Sequence, residues 1–294
     1  MQDKKELCLT DLAVIKGVMA RHGAVFKKGL GQNFLTDPTV CPRMAEAISG
    51  ENTAALEIGA GVGVLTRELL ARCNKVVCVE LDEKLFPVLE ETLPNRENLT
   101  LVCGDILKTD LHALIKEHFE GMELFVCANL PYYITSPVIM KLLEENLPIQ
   151  KIIVMVQKEA ADRLCAEVGS RNGGAVTVAV SYRARAQKLF DVPRTSFYPQ
   201  PKVDSCVIEL DLTKRQDYGV KNEELFFSVV RGAFSQRRKT VLNSLSSYFG
   251  IGKTELESAL SSAGVSPTLR AEALTMENFA SITDEISKLR KDIK

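Results

Sequence analysis

The sequence predicts an α/β fold: a parallel sheet covered on both faces by helices, followed by a small all-helical domain. Three observations predict it. Between Ala54 and Gln157, short runs rich in Val, Ile and Leu alternate with amphipathic stretches, the pattern of strands joined by crossover helices. Several of these apolar runs end in glycine or a polar residue, where ligand-binding loops begin in such sheets. From Lys214 onward the strand-like runs stop and helical periodicity takes over.

Taken in order, strands are expected at Ala54–Ile58, Val76–Glu80, Leu99–Cys103, Leu124–Ala128 and Ile152–Val156. Their near-continuous apolar character suits burial on both faces. Helices are expected between them at Leu65–Arg72, Glu83–Leu93, Leu111–Phe119 and Pro137–Glu144. A further helix should run from Lys158 to about Val168, with Arg171–Gly174 as a loop. Two more strands are expected at Arg183–Phe190 and Ser205–Leu212. The proline-rich stretch between them is held extended. The last part reads as helices at Glu223–Phe234, Thr240–Phe249, Lys253–Leu260 and Met276–Leu289, punctuated by Gly250, Gly264 and Pro267. A boundary within Leu212–Tyr218 divides the chain into residues 1–213 and 214–294.

With 294 residues, 46% of them hydrophobic and 26% charged, the chain can bury a sizeable core. The formal net charge of -1 gives no general pull toward nucleic acid; any such contact must come from local clusters. The eight cysteines form no C-x-x-C pair and are read as buried, reduced thiols, with no metal site expected. Met1–Glu6 lacks an apolar signal core and no run is long enough to cross a bilayer, so a cytoplasmic location is expected.

Four strand ends carry the candidate chemistry. The segment Leu56-Glu57-Ile58-Gly59-Ala60-Gly61-Val62-Gly63 is a buried strand running into glycines and then a helix. Glycines let the backbone pass close to a ligand, and the helix start offers unpaired N–H groups. The G-x-G-x-G spacing favours a nucleoside with an amino-acid tail over a pyrophosphate, whose fingerprint is G-x-G-x-x-G. Glu80, one βα unit later, can accept both hydroxyl hydrogens of a ribose. Asp105, closing the third strand, can accept from an adenine amine, with Ile106 covering the ring.

The fourth segment, Asn129-Leu130-Pro131-Tyr132, is the most informative. An adenine N6 amine is a poor nucleophile because its lone pair is delocalised into the ring. Two acceptors holding its two hydrogens draw that pair out of conjugation. The Asn129 side-chain oxygen and the Leu130 carbonyl are the candidates. Pro131 fixes the backbone between acceptors and ring, and Tyr132 offers a stacking face. Two basic clusters, Lys27 with Lys28 and Arg231 with Arg237, Arg238 and Lys239, are expected to face RNA phosphates.

On these segments the sequence resembles the KsgA (RsmA) family of small-subunit ribosomal RNA adenine N6,N6-dimethyltransferases. The likeness spans nearly the whole chain. It includes Lys28–Leu35, the glycine loop, Glu80, Gly104-Asp105, Asn129–Tyr132, Val156–Leu164, Phe197–Ser205 and Arg231–Thr240. The glycine loop is shared by many methyltransferases. The G-Q-N-F-L, N-L-P-Y and F-x-P-x-P-K-V-x-S segments together are highly specific.

The resemblance implies a Rossmann-like class I methyltransferase sheet over residues 1–213 and a helical RNA-binding domain over 214–294. It implies S-adenosyl-L-methionine as cofactor. Asn33 and Leu35 would touch the cofactor from the N-terminal segment. Gly59 and Gly61 would pass under its methionine part, Glu80 would hold the ribose, and Asp105 with Ile106 the adenine. Asn129 would sit between cofactor and target, and Phe197 would pack on the target base opposite Tyr132. The implied reaction is dimethylation of N6 on two adjacent adenosines in the 3′-terminal hairpin loop of the small-subunit (16S) RNA, contributing to small-subunit biogenesis. The implied partner is that RNA or a pre-30S particle, met by a monomer with no membrane and no metal.

Three rival readings compete with it. An NAD(P)-dependent oxidoreductase is disfavoured by the early third glycine and by Asn129–Tyr132. An Erm-type enzyme acting on large-subunit RNA shares the strand-end motifs but is disfavoured by Leu130 in place of Ile and by Arg231–Thr240. A non-catalytic factor, like the related mitochondrial transcription factors, is the third.

Overall fold

The computed structural model describes residues 7–25, 32–93 and 97–292. Helix α1 (Leu12–Arg21) comes first, then β1 (Phe34–Leu35) and α2 (Val40–Ala45). An alternating series follows: β2 (Thr53–Ile58), α3 (Val64–Leu70), β3 (Lys75–Glu80), α4 (Phe86–Thr92), β4 (Leu99–Cys103), α5 (Leu111–His118), β5 (Glu123–Asn129), α6 (Thr135–Glu144) and β6 (Ile149–Gln157). Next come α7 (Lys158–Leu164), α8 (Ala175–Arg183), β7 (Arg185–Val192), β8 (Phe197–Tyr198) and β9 (Ser205–Asp211). The chain ends in α9 (Glu223–Phe234), α10 (Val241–Phe249), α11 (Lys253–Ser262) and α12 (Met276–Asp292).

Two compact units form. The first takes in the described residues up to Val138, together with Leu147–Ala161 and Gln187–Leu212. The second takes in Ile139–Asn146, Asp162–Ala186 and the described residues from Thr213 on.

The first unit is built on a seven-stranded sheet in the order β4-β3-β2-β5-β6-β9-β7. Strands β2 to β6 run parallel, and β9 joins β6 antiparallel. The expected α/β class is therefore observed. All six residues of β2 are buried, as are the central five of β5, which is why these strands read as unbroken apolar runs. The order reverses at β2, which lies between β3 and β5, and a crevice opens beyond the carboxyl ends at such a point.

A second, two-stranded sheet pairs β1 with β8 antiparallel, Phe34 facing Tyr198 and Leu35 facing Phe197. Helix α1 begins at Asp11, whose carboxylate accepts from the Ala13 N–H at 2.7 Å. Its buried Ile15, Val18 and Met19 pack with Phe34, Val62, Leu85 and Val88. Arg21 and His22 pair with Glu91 on α4, the histidine at 2.7 Å. The leading segment therefore buttresses the glycine loop through Val62.

In the second unit Asn222 caps α9 at 2.9 Å and Thr240 caps α10. Phe226, Phe279, Leu245 and Leu256 are fully buried. Helix α8 departs from the sequence expectation, which left its residues unassigned and began a strand at Arg183. Arg183 ends the helix, and the strand starts at Arg185. Seven of the nine α8 residues are buried, so no polar stripe marks a helical period. The cysteines also differ in part. None of the eight forms a disulfide, but Cys8 and Cys103 are exposed and Cys165 is half-buried. Cys103 lies at the end of edge strand β4, whose residues are only partly covered.

No helix among the described residues is long and apolar enough to cross a membrane. No group of three His, Cys, Asp or Glu side chains among them is placed to hold a metal ion.

Candidate active site

Beyond the carboxyl ends of β2, β3, β4 and β5 lies a cavity of about 290 Å³. Its floor is the glycine loop. Gly59, Gly61 and Gly63 have φ of 77°, 58° and 89°, a region that L side chains rarely enter. A Cβ on Gly59 would meet nothing within 4 Å, so this glycine is set by its backbone turn and leaves open space above it. A Cβ on Gly61 would sit 3.6 Å from the Phe34 ring, which thus lies along the loop.

Glu80 ends β3 and is buried. Its carboxylate accepts from the Gly61 N–H at 3.1 Å and the Asp82 N–H at 2.9 Å. Burial raises its pKa, and those two N–H groups oppose the rise. Two donors leave acceptor capacity on both oxygens, enough for a vicinal diol. Asp82 starts the 3₁₀ turn Glu83–Leu85, as an N-cap, and accepts from Lys84 N–H at 3.2 Å. Asp105 accepts from the Leu107 N–H at 3.0 Å, and Lys108 lies 3.9 Å from its second oxygen. Ile106 is buried beside it, and Leu81, half exposed, lines the same cavity. The cavity thus offers an acidic residue for a ribose, an acidic residue for an amine and two aliphatic side chains for a ring face.

Asn129 ends β5. Its Nδ2 donates to the Asn33 carbonyl at 3.4 Å, so the carboxamide oxygen is the atom left over. That oxygen accepts no hydrogen bond among the described residues. The Leu130 N–H donates to the Met155 carbonyl at 3.2 Å, extending the β5–β6 ladder by one step. The Leu130 carbonyl accepts nothing among the described residues. Pro131, at φ -55° and ψ 132°, turns the chain into the 3₁₀ turn Tyr132–Ile134. The structure therefore brings two unsatisfied acceptors from adjacent residues to one cavity wall.

Tyr132 lines the cavity and is pinned by a hydrogen bond between its hydroxyl and Ser205 Oγ at 2.9 Å. Burial raises its pKa, so the phenol stays neutral. Tyr133 also lines the cavity, with 59% of its surface exposed. Phe197 is placed otherwise than expected. It is buried in the core with Leu35, Val40 and Cys41 and does not line the cavity. Its strand pairing with Leu35 turns the ring inward, and the aromatics that line the cavity beside Tyr132 are Phe34 and Tyr133. Of the remaining expected residues, Asn33 and Leu35 line the cavity, while Lys27 and Lys28 lie outside the described residues.

Sequence reasoning missed Phe34, Leu81, Tyr133, Ser205 and Glu57. Phe34, Ser205 and Glu57 lie inside quoted motifs, and Leu81 and Tyr133 lie one residue beyond quoted positions; what was missing was which way each side chain points. Glu57 is buried within β2, and the Cys78 thiol donates to its carboxylate at 3.1 Å. Burial pushes its pKa up from 4.5 to about 7. The folded chain thus keeps a proton that the unfolded chain releases near pH 4.5. Stability from neutral Glu57 is complete below that pH and is lost as pH rises to about 7, on the order of 3 kcal/mol in all. Glu57→Gln should flatten this part of the stability curve. Denaturant unfolding without cofactor, across that pH window, checks it; an unchanged slope would refute the assignment.

In the second unit, Arg231 pairs with Glu144 at 2.6 Å and donates to Ser228 at 3.2 Å. Its charge is therefore shared inside the unit, a partnership the local sequence did not show. Arg237, Arg238 and Lys239 are exposed in the turn between α9 and α10, and their side chains have no ion-pair or hydrogen-bond partner among the described residues.

The reversed strand order, the glycine loop and the strand-end acids define a methyltransferase-type nucleoside site. The profile of the ribosomal RNA adenine dimethylase family matches residues 23–288. Ribosomal RNA small subunit methyltransferase A of Geobacillus thermodenitrificans is 47% identical over 280 residues, covering 93% of this chain and 95% of that protein. The protein of the same name from Bacillus mycoides is 43% identical, covering 92% and 94%. Among solved structures, a dimethyladenosine transferase from Plasmodium falciparum superposes with a TM-score of 0.66 at 27% identity, over 86% of this chain and 97% of that one. The 23S rRNA methyltransferase ErmE superposes at 0.60 with 25% identity, over 87% and 100%. The chain belongs to the ribosomal RNA adenine dimethylase family. It is a methyltransferase whose cofactor is S-adenosylmethionine, and the open glycine cradle and the Glu80 carboxylate fit that cofactor.

Proposed function

We propose that this enzyme dimethylates N6 of two adjacent adenosines in the 3′-terminal hairpin loop of small-subunit (16S) ribosomal RNA, as a cytoplasmic monomer acting on that RNA or a pre-30S particle. The observation that carries the reading is the pair of unsatisfied acceptors, Asn129 Oδ1 and the Leu130 carbonyl, in the wall of the cofactor cavity. When bound, S-adenosylmethionine supplies a methyl group on a positively charged sulfur. Glu80 would hold its ribose, Asp105 and Ile106 its adenine, and the Gly59–Gly61 backbone its amino-acid tail.

The protein's own residues then do three things. Asn129 and Leu130 each accept one hydrogen of the target amine, freeing its lone pair and aiming the nitrogen. Tyr132, with its hydroxyl tied to Ser205, presents a fixed face for the extruded base. Pro131 keeps acceptors and ring in one rigid turn. No strong base is needed, because the methylated, cationic amine is acidic enough to give its proton to water. The name shared by the Geobacillus and Bacillus relatives supports the small subunit as target.

Mass mapping decides the reading. Undermethylated small and large subunits are incubated with purified protein and methyl-labelled cofactor. Label is expected as dimethyladenosine in the small-subunit terminal loop; label only in the large-subunit RNA would favour the Erm-type reading, to which the ErmE superposition points. A second measurement concerns the grip on RNA. Removing Arg237 and Arg238 together by alanine should reduce the slope of log K against log salt by about 2, one per lost phosphate contact. An unchanged slope would remove the turn from the RNA interface.

A further inference from the structure

Tyr248 is an exposed aromatic in the second unit, and its surroundings are built to hold it there. It lies on α10 seven residues after Val241 and three after Leu245, both fully buried. It therefore continues the buried stripe of that helix, yet 44% of its surface is open. On the inner side the ring lies against Gly232 in the body of α9. A Cβ on that glycine would come within 2.8 Å of Tyr248 Cδ1 and 3.0 Å of Cγ. A glycine inside a helix is destabilising against alanine, and here it makes room for the ring. The Arg231 guanidinium, on the residue before Gly232, is held by Glu144 at 2.6 Å. Phe249 meets the ring edge-on, centroids 5.0 Å apart and planes at 86°. A ring backed by a glycine, flanked edge-on by a second aromatic and open to solvent is a preorganised stacking surface.

A group of cations lies at the other end of the same helix. Arg237, Arg238 and Lys239 occupy the turn that leads into α10, and all three are exposed. Arg270 joins them from elsewhere in the chain. The Val241 N–H donates to the Leu269 carbonyl at 2.7 Å, so the exposed Arg270 follows directly on a residue bonded to the first turn of α10. None of these four has an ion-pair partner among the described residues. Tyr248 stands two helical turns from Val241, about 10 Å along the axis.

We infer that Tyr248 is a second base-binding site, which stacks an unpaired RNA base while Arg237, Arg238, Lys239 and Arg270 hold neighbouring phosphates. The site shares no residue with the strand-end cavity and takes a base that is not methylated. The inference rests on the RNA-modifying reading above. An aromatic face with adjacent unpaired cations fits a single-stranded nucleic acid better than an acidic protein, because stacking is tolerant of every base and phosphates answer the charge.

Binding of a fluorescently labelled short single-stranded RNA, and of the same phosphodiester backbone without bases, tests the site in the full-length protein. Tyr248→Leu should weaken the base-bearing RNA about tenfold, the loss of one stacked base, and leave the abasic backbone and the salt slope as in wild type. Tyr248→Phe keeps the ring and should bind within about twofold of wild type, since stacking resides in the ring. Gly232→Ala, which displaces the ring without deleting it, should fall between them. Thermal unfolding of each variant accompanies the titration. Wild-type affinity in both the Leu and the Gly232 variants overturns the inference, as does equal loss for both probes in a folded variant. If the wild-type protein labels the small-subunit loop yet Tyr248→Leu binds RNA normally, the base site alone fails. If the wild-type protein neither binds RNA nor labels that loop, the reading of the whole enzyme fails with it.

Discussion

Asn129→Ala is expected to lower methyl transfer by about 10²–10³-fold, the usual cost of removing one preorganised polar group from a reacting centre, while cofactor affinity changes only a few-fold. The asymmetry follows from what the side chain does. Its nitrogen is spent on the Asn33 carbonyl and its oxygen is left facing no partner. On the proposed reading, the cofactor's ribose and adenine would be held by Glu80 and Asp105, whose carboxylates lie at the ends of other strands. The substitution removes one of two hydrogen-bond acceptors for the target amine, so the nitrogen keeps its lone pair in the ring and loses its aim. Single-turnover rates on undermethylated small subunits, beside calorimetric titration of S-adenosylhomocysteine, separate the two effects. Turnover near wild type would show that the amine is held elsewhere.

Arg183→Met should destabilise the second unit by about 3 kcal/mol. The Arg183 side chain is 5% exposed and spends its donors on the Leu143 carbonyl, Asn146 and both oxygens of Glu223, at 2.6 to 3.2 Å. Glu223 also accepts from Tyr182 at 2.8 Å. Burial works to raise the Glu223 pKa, but the Tyr182 and Arg183 contacts hold it below the ordinary value, so the arginine is one of the groups that keep this carboxylate charged. Burial, and after it the hydrogen bond to Glu223, raise the Tyr182 phenol to about 12. Methionine replaces the stem but none of the donors, leaving the Leu143 carbonyl without this contact. Glu223 itself is 37% exposed, and solvent access keeps the loss from being larger. A fall in Tm of several degrees is expected; a shift under a degree would mean that water replaces the arginine without cost.

The parallel sheet and most of its site were legible because the chemistry sits where the strand pattern ends. Gly59, Glu80, Asp105 and Asn129 each follow an apolar run, and the position after a run is fixed once the run is known. Helix α8 was not legible, since Val176 to Val180 are buried all round and carry no polar stripe. Phe197 was misplaced for a different reason. Its motif was recognised, but whether an aromatic points to a cavity or a core depends on a two-residue pairing with Leu35, far away in the chain. Arg231 looked free because the acid that takes it, Glu144, lies in a distant helix. Patterns within one element can be read from sequence; partners between elements cannot.

The pairing of β1 with β8 has a consequence for how the enzyme is made. Asn33 and Leu35 belong to a segment clasped from the far side of the sequence, by Phe197 and Tyr198 in the ladder and by Ser196, which bonds Thr36 and Asp37 at 2.8 and 3.1 Å. A ribosome translating this chain finishes all five parallel strands before it reaches those residues. The nascent protein therefore carries a nearly complete sheet before the partners that clasp one wall of its cleft have been made, and that wall can be locked only as the last third of the polypeptide emerges.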